Sequence, residues 1–409
     1  MSYRLNGDGG RVEGAWPLYG AAVGMAMNLS VLWTAMPFII RNMGGTEVHV
    51  GYAWAANMLG YLACLAVSPR LLGHLKPRTM TRIASAVMLA ATAAMVFVAR
   101  AGLSDDSPPS TAAIWGLIAA GAVSGAAMSL YWPFLMAWVS ADFEGPGLNR
   151  RLGTYNGMWS GAAIVGPFIG GALVEANTLL PIAAAVGCLT VCLLLLCIAH
   201  DASALAPAHE SSRPAETMLP DPAILIRLRW MARIALFCAW AALGVARSQF
   251  PLLFVGMGYS ETQFGIMLTA FGICNFLTLT GAGRVAFWHF RPALLMTTQT
   301  VLVLPMVMMI YGADLWIFAA AFLIMGCGFG FAYSSHLYYG VCGSKKRSTP
   351  MIVHEATLSL GVVVGAGVGG YVSGRFGVYW PYGFAIAVLA IGLATQFILW
   401  LLGRAPMRP

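Results

Sequence analysis

The chain has 409 residues, of which 59% are hydrophobic and 9% charged, where a soluble domain carries about 25% charged residues. So little polar surface excludes a soluble fold. The formal net charge of +8 needs no nucleic acid to explain it, because basic residues set topology and face anionic headgroups in a membrane.

Apolar runs of about 20 residues, each long enough to cross a hydrocarbon core roughly 30 Å thick, recur from end to end. Twelve spans are expected, at 16–40, 49–69, 82–101, 112–140, 152–175, 179–199, 229–255, 262–283, 293–312, 314–341, 352–374 and 379–402. Residues 1–15 are polar and glycine-rich, and the first apolar run is too long for a cleavable signal, so it is expected to persist as span one. Arg41, Arg100 and Arg375 fall on one side and Arg247 within a span, while the other 19 of the 23 Lys and Arg residues fall on the side of the termini. That bias makes both termini cytoplasmic.

Span one contains Asn28, whose amide is costly in lipid unless it bonds a neighbouring helix. The turn after it reads Pro37-Phe-Ile-Ile-Arg-Asn-Met43-Gly44-Gly-Thr46-Glu47 and continues to Gly51. The turn after span seven reads Pro251-Leu-Leu-Phe-Val-Gly-Met257-Gly258-Tyr-Ser260-Glu261 and continues to Gly265. Pro, Met, Gly, Thr/Ser, Glu and Gly coincide at one constant offset, so the chain repeats itself. Thr46 and Ser260 are expected to cap the helices that follow. A basic loop, Gly73-His-Leu75-Lys-Pro77-Arg78-Thr-Met-Thr-Arg82, leads into span three. In span four, Tyr131 and Trp132 precede Pro133 and are candidates to line a solute path; Asn57, Asn275 and Gln299 are further polar residues within spans.

Span five reads Gly-Thr-Tyr-Asn-Gly-Met-Trp-Ser-Gly-Ala-Ala-Ile-Val-Gly-Pro-Phe-Ile-Gly-Gly from Gly153 to Gly171. Gly157, Gly161, Gly166, Gly170 and Gly171 recur at three- and four-residue spacings, which predicts one helix face open to a close backbone approach. Pro167 removes a backbone donor and predicts a bend near 163–166. Two echoes extend the repeat: Gly121 and Gly125 with Ser129 parallel Gly326 and Gly330 with Ser334, and Gly166-Pro-Phe-Ile-Gly-Gly parallels Gly365-Ala-Gly-Val-Gly-Gly. Residues 200–228 read as a cytoplasmic linker between a six-span half, 1–199, and a second half, 229–409.

Gly153, Ala162, Gly166, Pro167, Gly170 and Gly171 resemble the helix-five "antiporter" motif of the major facilitator superfamily, with Ala162 at a position usually glycine. Six spans, a linker and six related spans are also that family's layout. The resemblance implies an all-α membrane protein with two pseudo-symmetric six-helix bundles around a central cavity opened alternately to each side. It further implies that Gly73, Arg78 and Arg82 belong to the family's cytoplasmic loop motif. Pro77 stands at that motif's aspartate, so a charge latch does not carry over.

Arg247, followed by Ser248 and Gln249, falls about 6 Å from the centre of span seven at 1.5 Å per residue. It is a candidate to hold an anionic or carbonyl-bearing solute, with Gln249 beside it. Glu355, with His354, enters span eleven near the cytoplasmic side and is a candidate proton-coupling group or a gate toward Lys345, Lys346 or Arg347. His336 in span ten is a further candidate, because histidine is a side chain that can titrate near neutral pH. The eight cysteines form no CxxC pair and read as small buried hydrophobes. No phosphate loop, zinc-protease helix or nucleophile elbow is present in the sequence, so neither enzyme activity nor a cofactor or metal is expected. The expected partners are a small-molecule substrate, protons and the bilayer, and a monomer suffices. Three functions fit: proton-exchange efflux of a small organic solute, uptake or facilitated movement of an organic anion, and a transport-dead membrane sensor or assembly factor.

Overall fold

The computed structural model describes residues 15–72, 75–103, 111–140, 145–199, 221–342 and 348–402. Among these it contains helices and no strands, and 12 of the helices are long and apolar enough to cross a membrane. They are α1 (Trp16–Asn42), α2 (Glu47–Leu71), α3 (Pro77–Gly102), α4 (Thr111–Ser140), α5 (Gly145–Ala176) and α6 (Leu180–Ile198) in the first half. The second half holds α7 (Pro222–Gly256), α8 (Glu261–Ala282), α9 (Pro292–Tyr311), α10 (Leu315–Val341), α11 (Pro350–Phe376) and α12 (Trp380–Leu402). An even number of spans puts both ends on one face, here called the termini side; the opposite face is the far side.

Three spans are irregular, and glycine or proline explains each. Pro251 has no N–H to give the Arg247 carbonyl, and α7 breaks at Gln249 between Pro222–Ser248 and Phe250–Gly256. Pro305 does the same to α9 at Leu302. In α11 a π-helical stretch runs over Val363–Val368, where Gly365 and Gly367 remove side-chain crowding. α7 also starts earlier than expected. Pro222 occupies its first turn and Asp221 accepts the Ala223 N–H at 2.8 Å, so residues 222–228 are helix rather than linker. Residues 200–220 lie outside the described residues.

The repeat is structural. Gly44 (φ 80°) and Gly258 (φ 92°) both adopt left-handed backbone at equivalent places in the two far-side turns, a conformation open to glycine at little cost. After each turn a helix is capped: Thr46 N–H donates to His49 Nδ1 at 3.1 Å, and Ser260 N–H donates to Gln263 Oε1 at 2.8 Å while its own Oγ accepts from Gln263 N–H at 3.2 Å. The glycines of α4 and α10 do the same work in each half, but the structure makes Gly125 the equivalent of Gly326, one helical turn from the register expected from the sequence echo. A Cβ on Gly125 would collide with the Asn57 carbonyl of α2, and one on Gly326 with the Phe271 carbonyl of α8. The Asn57 amide also donates to Gly121 O at 2.9 Å.

The halves meet through two equivalent helix pairs, α2 with α11 and α5 with α8, with α1 and α7 running between them. Gly51 lies against Gly370 and the Ala366 carbonyl, and its repeat partner Gly265 lies against the Pro167 carbonyl. Gly166 and Gly170 instead seat α5 on Ser30 and Val31 of α1, while Gly171 faces Glu261 of α8. The glycine stripe of α5 is therefore split. Its far-side part packs on two different neighbours, whereas Gly153, Gly157 and Gly161 have nothing within 4 Å of where a Cβ would stand. The expectation of one continuous packed face is corrected: the glycines of α5 meet α1 and α8 only toward the far side. Ala162, 8% exposed, lies next to this transition.

Candidate functional site

Polar groups join the halves at both helix pairs: Thr269 Oγ1 of α8 donates to Ile164 O of α5 at 2.9 Å, and a second link runs from α2 to α11. Tyr61 OH donates to Glu355 Oε2 at 2.8 Å. Tyr61 stands 3.5 residues, roughly 5 Å, and Glu355 eight residues, roughly 12 Å, to the termini side of the centres of their spans Glu47–Ser68 and Pro350–Phe376. Lys345, Lys346 and Arg347, named as gate partners of Glu355, lie outside the described residues.

Beside Glu355 is a pair of buried imidazoles. His336 Nδ1 of α10 and His354 Nδ1 of α11 are 2.9 Å apart, so one of them carries the shared proton. His354 Nε2 is buried with no partner among the described residues. The edge of the Tyr333 ring meets His354 with centroids 4.5 Å apart. Tyr155 of α5, 4% exposed, completes the polar layer from the first half. Tyr61–Glu355 and His336–His354 are thus two separate hydrogen-bonded pairs, the first between the halves and the second between α10 and α11 within the second half.

A second feature lies further toward the far side. Arg247 of α7 sits over the indole of Trp54 in α2, 5.6 Å from the ring centroid, and Trp33 of α1 packs on the same indole at 5.0 Å. Among the described residues Arg247 has neither hydrogen-bond acceptor nor carboxylate. Because α7 spans Pro222–Gly256, Arg247 is eight residues from its centre, roughly 12 Å rather than 6 Å. Gln249 turns away from it: its amide donates to Glu47 O of α2 at 3.3 Å and to Ser248 Oγ at 3.1 Å. Gln249 therefore ties the far side shut.

The remaining candidates divide by use. Tyr131 lies inside the first half, where its hydroxyl donates to Ala21 O at 2.9 Å and sits 3.3 Å from Cys192 Sγ. Trp132 packs edge-on to Tyr131 and joins Trp159 of α5, centroids 6.0 Å apart. Asn28 is 1% exposed and its Oδ1 has no partner among the described residues. Arg82 caps the end of α6, donating to Leu196 O at 2.9 Å, Cys197 O at 3.2 Å and Ala199 O at 3.1 Å. Arg229 caps α10 in the same manner, reaching Tyr339 O at 3.0 Å and Cys342 O at 2.5 Å. A cation at a helix C-terminus satisfies free carbonyls and opposes the helix dipole. Arg78 begins α3, and Gly73 lies outside the described residues.

Tyr61, Tyr333 and Trp54 were absent from the sequence reading. A signal for Tyr61 existed: it continues the steps Gly51, Trp54, Met58 along one face of α2. Tyr333 precedes His336 by one helical turn. Tyrosine and tryptophan in a span otherwise read as interface or packing residues.

Known proteins share this architecture. The nucleoside transporter NupG superposes with a TM-score of 0.72 at 11% identity, covering 94% of this chain and 98% of that one. A bacterial homologue of the iron transporter ferroportin in an inward-facing state gives 0.69 at 10% identity, covering 95% and 99%. In sequence, the chain is 27% identical over 167 residues to "Multidrug resistance protein 2" of Bacillus subtilis (strain 168), a match spanning 40% of this chain and 42% of that protein. The family model of the Major Facilitator Superfamily matches residues 18–341. With its twelve spans among the described residues and its repeated halves, the chain belongs to the major facilitator superfamily.

Proposed function

We propose that this protein exports a small organic solute in exchange for protons, by alternating access, from a bacterial inner membrane with both termini in the cytoplasm. The observation that carries this reading is the Tyr61–Glu355 hydrogen bond, a titratable group tying the two halves together between membrane-spanning helices. An ionised Glu355 needs a donor from across the interface, and Tyr61 supplies it; a protonated Glu355 does not. Proton binding therefore bears on the contact that must loosen when the halves rock.

Support for export comes from the α5 motif and from the relative named for multidrug resistance. Support for the orientation comes from the basic residues on the termini side. With that orientation the halves are closed toward the outside, so a solute reaches the polar layer from the cytoplasm.

Substrate-driven proton movement in proteoliposomes tests the reading. Glu355→Gln should lower it at least tenfold while leaving the protein folded and binding solute. Full proton exchange in that variant would sink the assignment of Glu355. Absence of any flux from wild type would favour the sensor.

A further inference from the structure

Arg247 is charged, set inside the protein, and has no anionic partner among the described residues. An unpaired charge out of bulk water is costly, and a second unpaired donor lies beside it. Trp54, 7% exposed, has its indole N–H buried without an acceptor. The donors cluster at the interface of the halves, since Arg247 belongs to α7 and Trp54 to α2. The repeat sharpens the contrast. At the offset that relates Pro37 to Pro251, Arg247 corresponds to Trp33 of α1, which packs on that same Trp54. One half thus supplies an apolar ring and the other a guanidinium to a shared indole.

We propose that Arg247 and the Trp54 N–H form a binding site for the carboxylate of an organic monoanion. This rests on the transporter reading above and names its substrate class. A guanidinium presents two parallel donors that match two carboxylate oxygens. A single arginine balances a single negative charge, which disfavours a doubly charged phosphate. The surrounding wall is apolar, with Trp33, Trp54 and Leu243 in one buried cluster, so the rest of the solute is hydrophobic. Export suits such an anion: across an inside-negative membrane, an anion leaving and a proton entering both move charge in the driven direction.

The test measures equilibrium binding of 4-hydroxybenzoate, its methyl ester and tetraphenylphosphonium to purified full-length protein. The acid should bind wild type at least tenfold more tightly than the ester. Arg247→Gln should lose at least tenfold in affinity for the acid, and Arg247→Lys should keep part of it. Trp54→Phe, which removes the N–H and keeps a ring, should lose about threefold, and it serves if Arg247→Gln does not fold. Acid and ester binding alike, no binding of the acid, or an Arg247→Gln protein that binds it as well as wild type would overturn the proposal. Glu355→Gln should still bind the acid. Binding without proton exchange would defeat the coupling reading and leave this site standing; proton exchange driven by tetraphenylphosphonium, with no binding of the acid, would do the reverse.

Discussion

Individual basic residues in this protein hold helices together as well as orienting the chain. Arg82 illustrates why sequence reading stopped short. Its place on the termini side was legible from charge alone, but a three-carbonyl cap depends on where α6 ends in space. Arg82→Ala should destabilise the first half by about 1–2 kcal/mol, because hydrogen bonds from charged donors contribute roughly 1.5–3 kcal/mol each and water replaces part of the loss. Thermal unfolding in detergent would register this, and Arg82→Lys should recover part of it. Unchanged melting would mean that the cap is satisfied by solvent. Tyr131 teaches the complementary lesson: a buried hydroxyl beside a proline suggested a solute path, yet a neighbouring helix carbonyl accepts its proton. Polarity in a span marks a need for a partner, and sequence does not say whether that partner is solute or protein.

The helices themselves were the most readable level, since apolar length fixes each span and the repeated turn fixes their order. Gly44 and Gly258 had to be glycine for a backbone reason that a sequence can display. The α5 stripe was readable only in part, because three- and four-residue spacing reports a face without reporting what lies opposite. Its two ends make opposite predictions. Gly265→Val inserts a side chain against the Pro167 carbonyl and should drive α5 and α8 apart on the far side, shifting spin-label distances there toward a separated population. Gly157→Leu meets nothing in the present arrangement and should leave stability and solute binding intact. If rocking later brings that end of α5 against its neighbours, the same variant should cut turnover at least tenfold. Full turnover by Gly157→Leu would show that this end of α5 stays clear throughout the cycle.

At the scale of the whole molecule, transport requires the far-side contacts to be strong enough to seal yet weak enough to break. The described contacts fit that demand. Glycine-to-backbone approaches at Gly51–Gly370 and Gly171–Glu261 exclude water by shape, and the hydrogen bonds across the seam are few: Gln249 to Glu47 O, Thr262 N–H to Glu175 Oε2 at 3.0 Å, and Thr269 Oγ1 to Ile164 O at 2.9 Å. Such a seam has two packed states available at small cost, whereas an ion-pair network would hold one. A covalent tie makes the argument testable. Val48 of α2 lies against Gly374 of α11 at the far-side end of the seam. A Val48→Cys/Gly374→Cys pair, oxidised in the membrane and judged against each single variant, should abolish solute turnover while leaving binding from the termini side intact. Reduction of the disulfide should restore transport. Undiminished turnover by the cross-linked protein would mean that α2 and α11 never part on this side, and the solute would need a route other than between the halves. Loss of turnover that returns with reductant would instead make separation along this glycine seam a required step of the cycle.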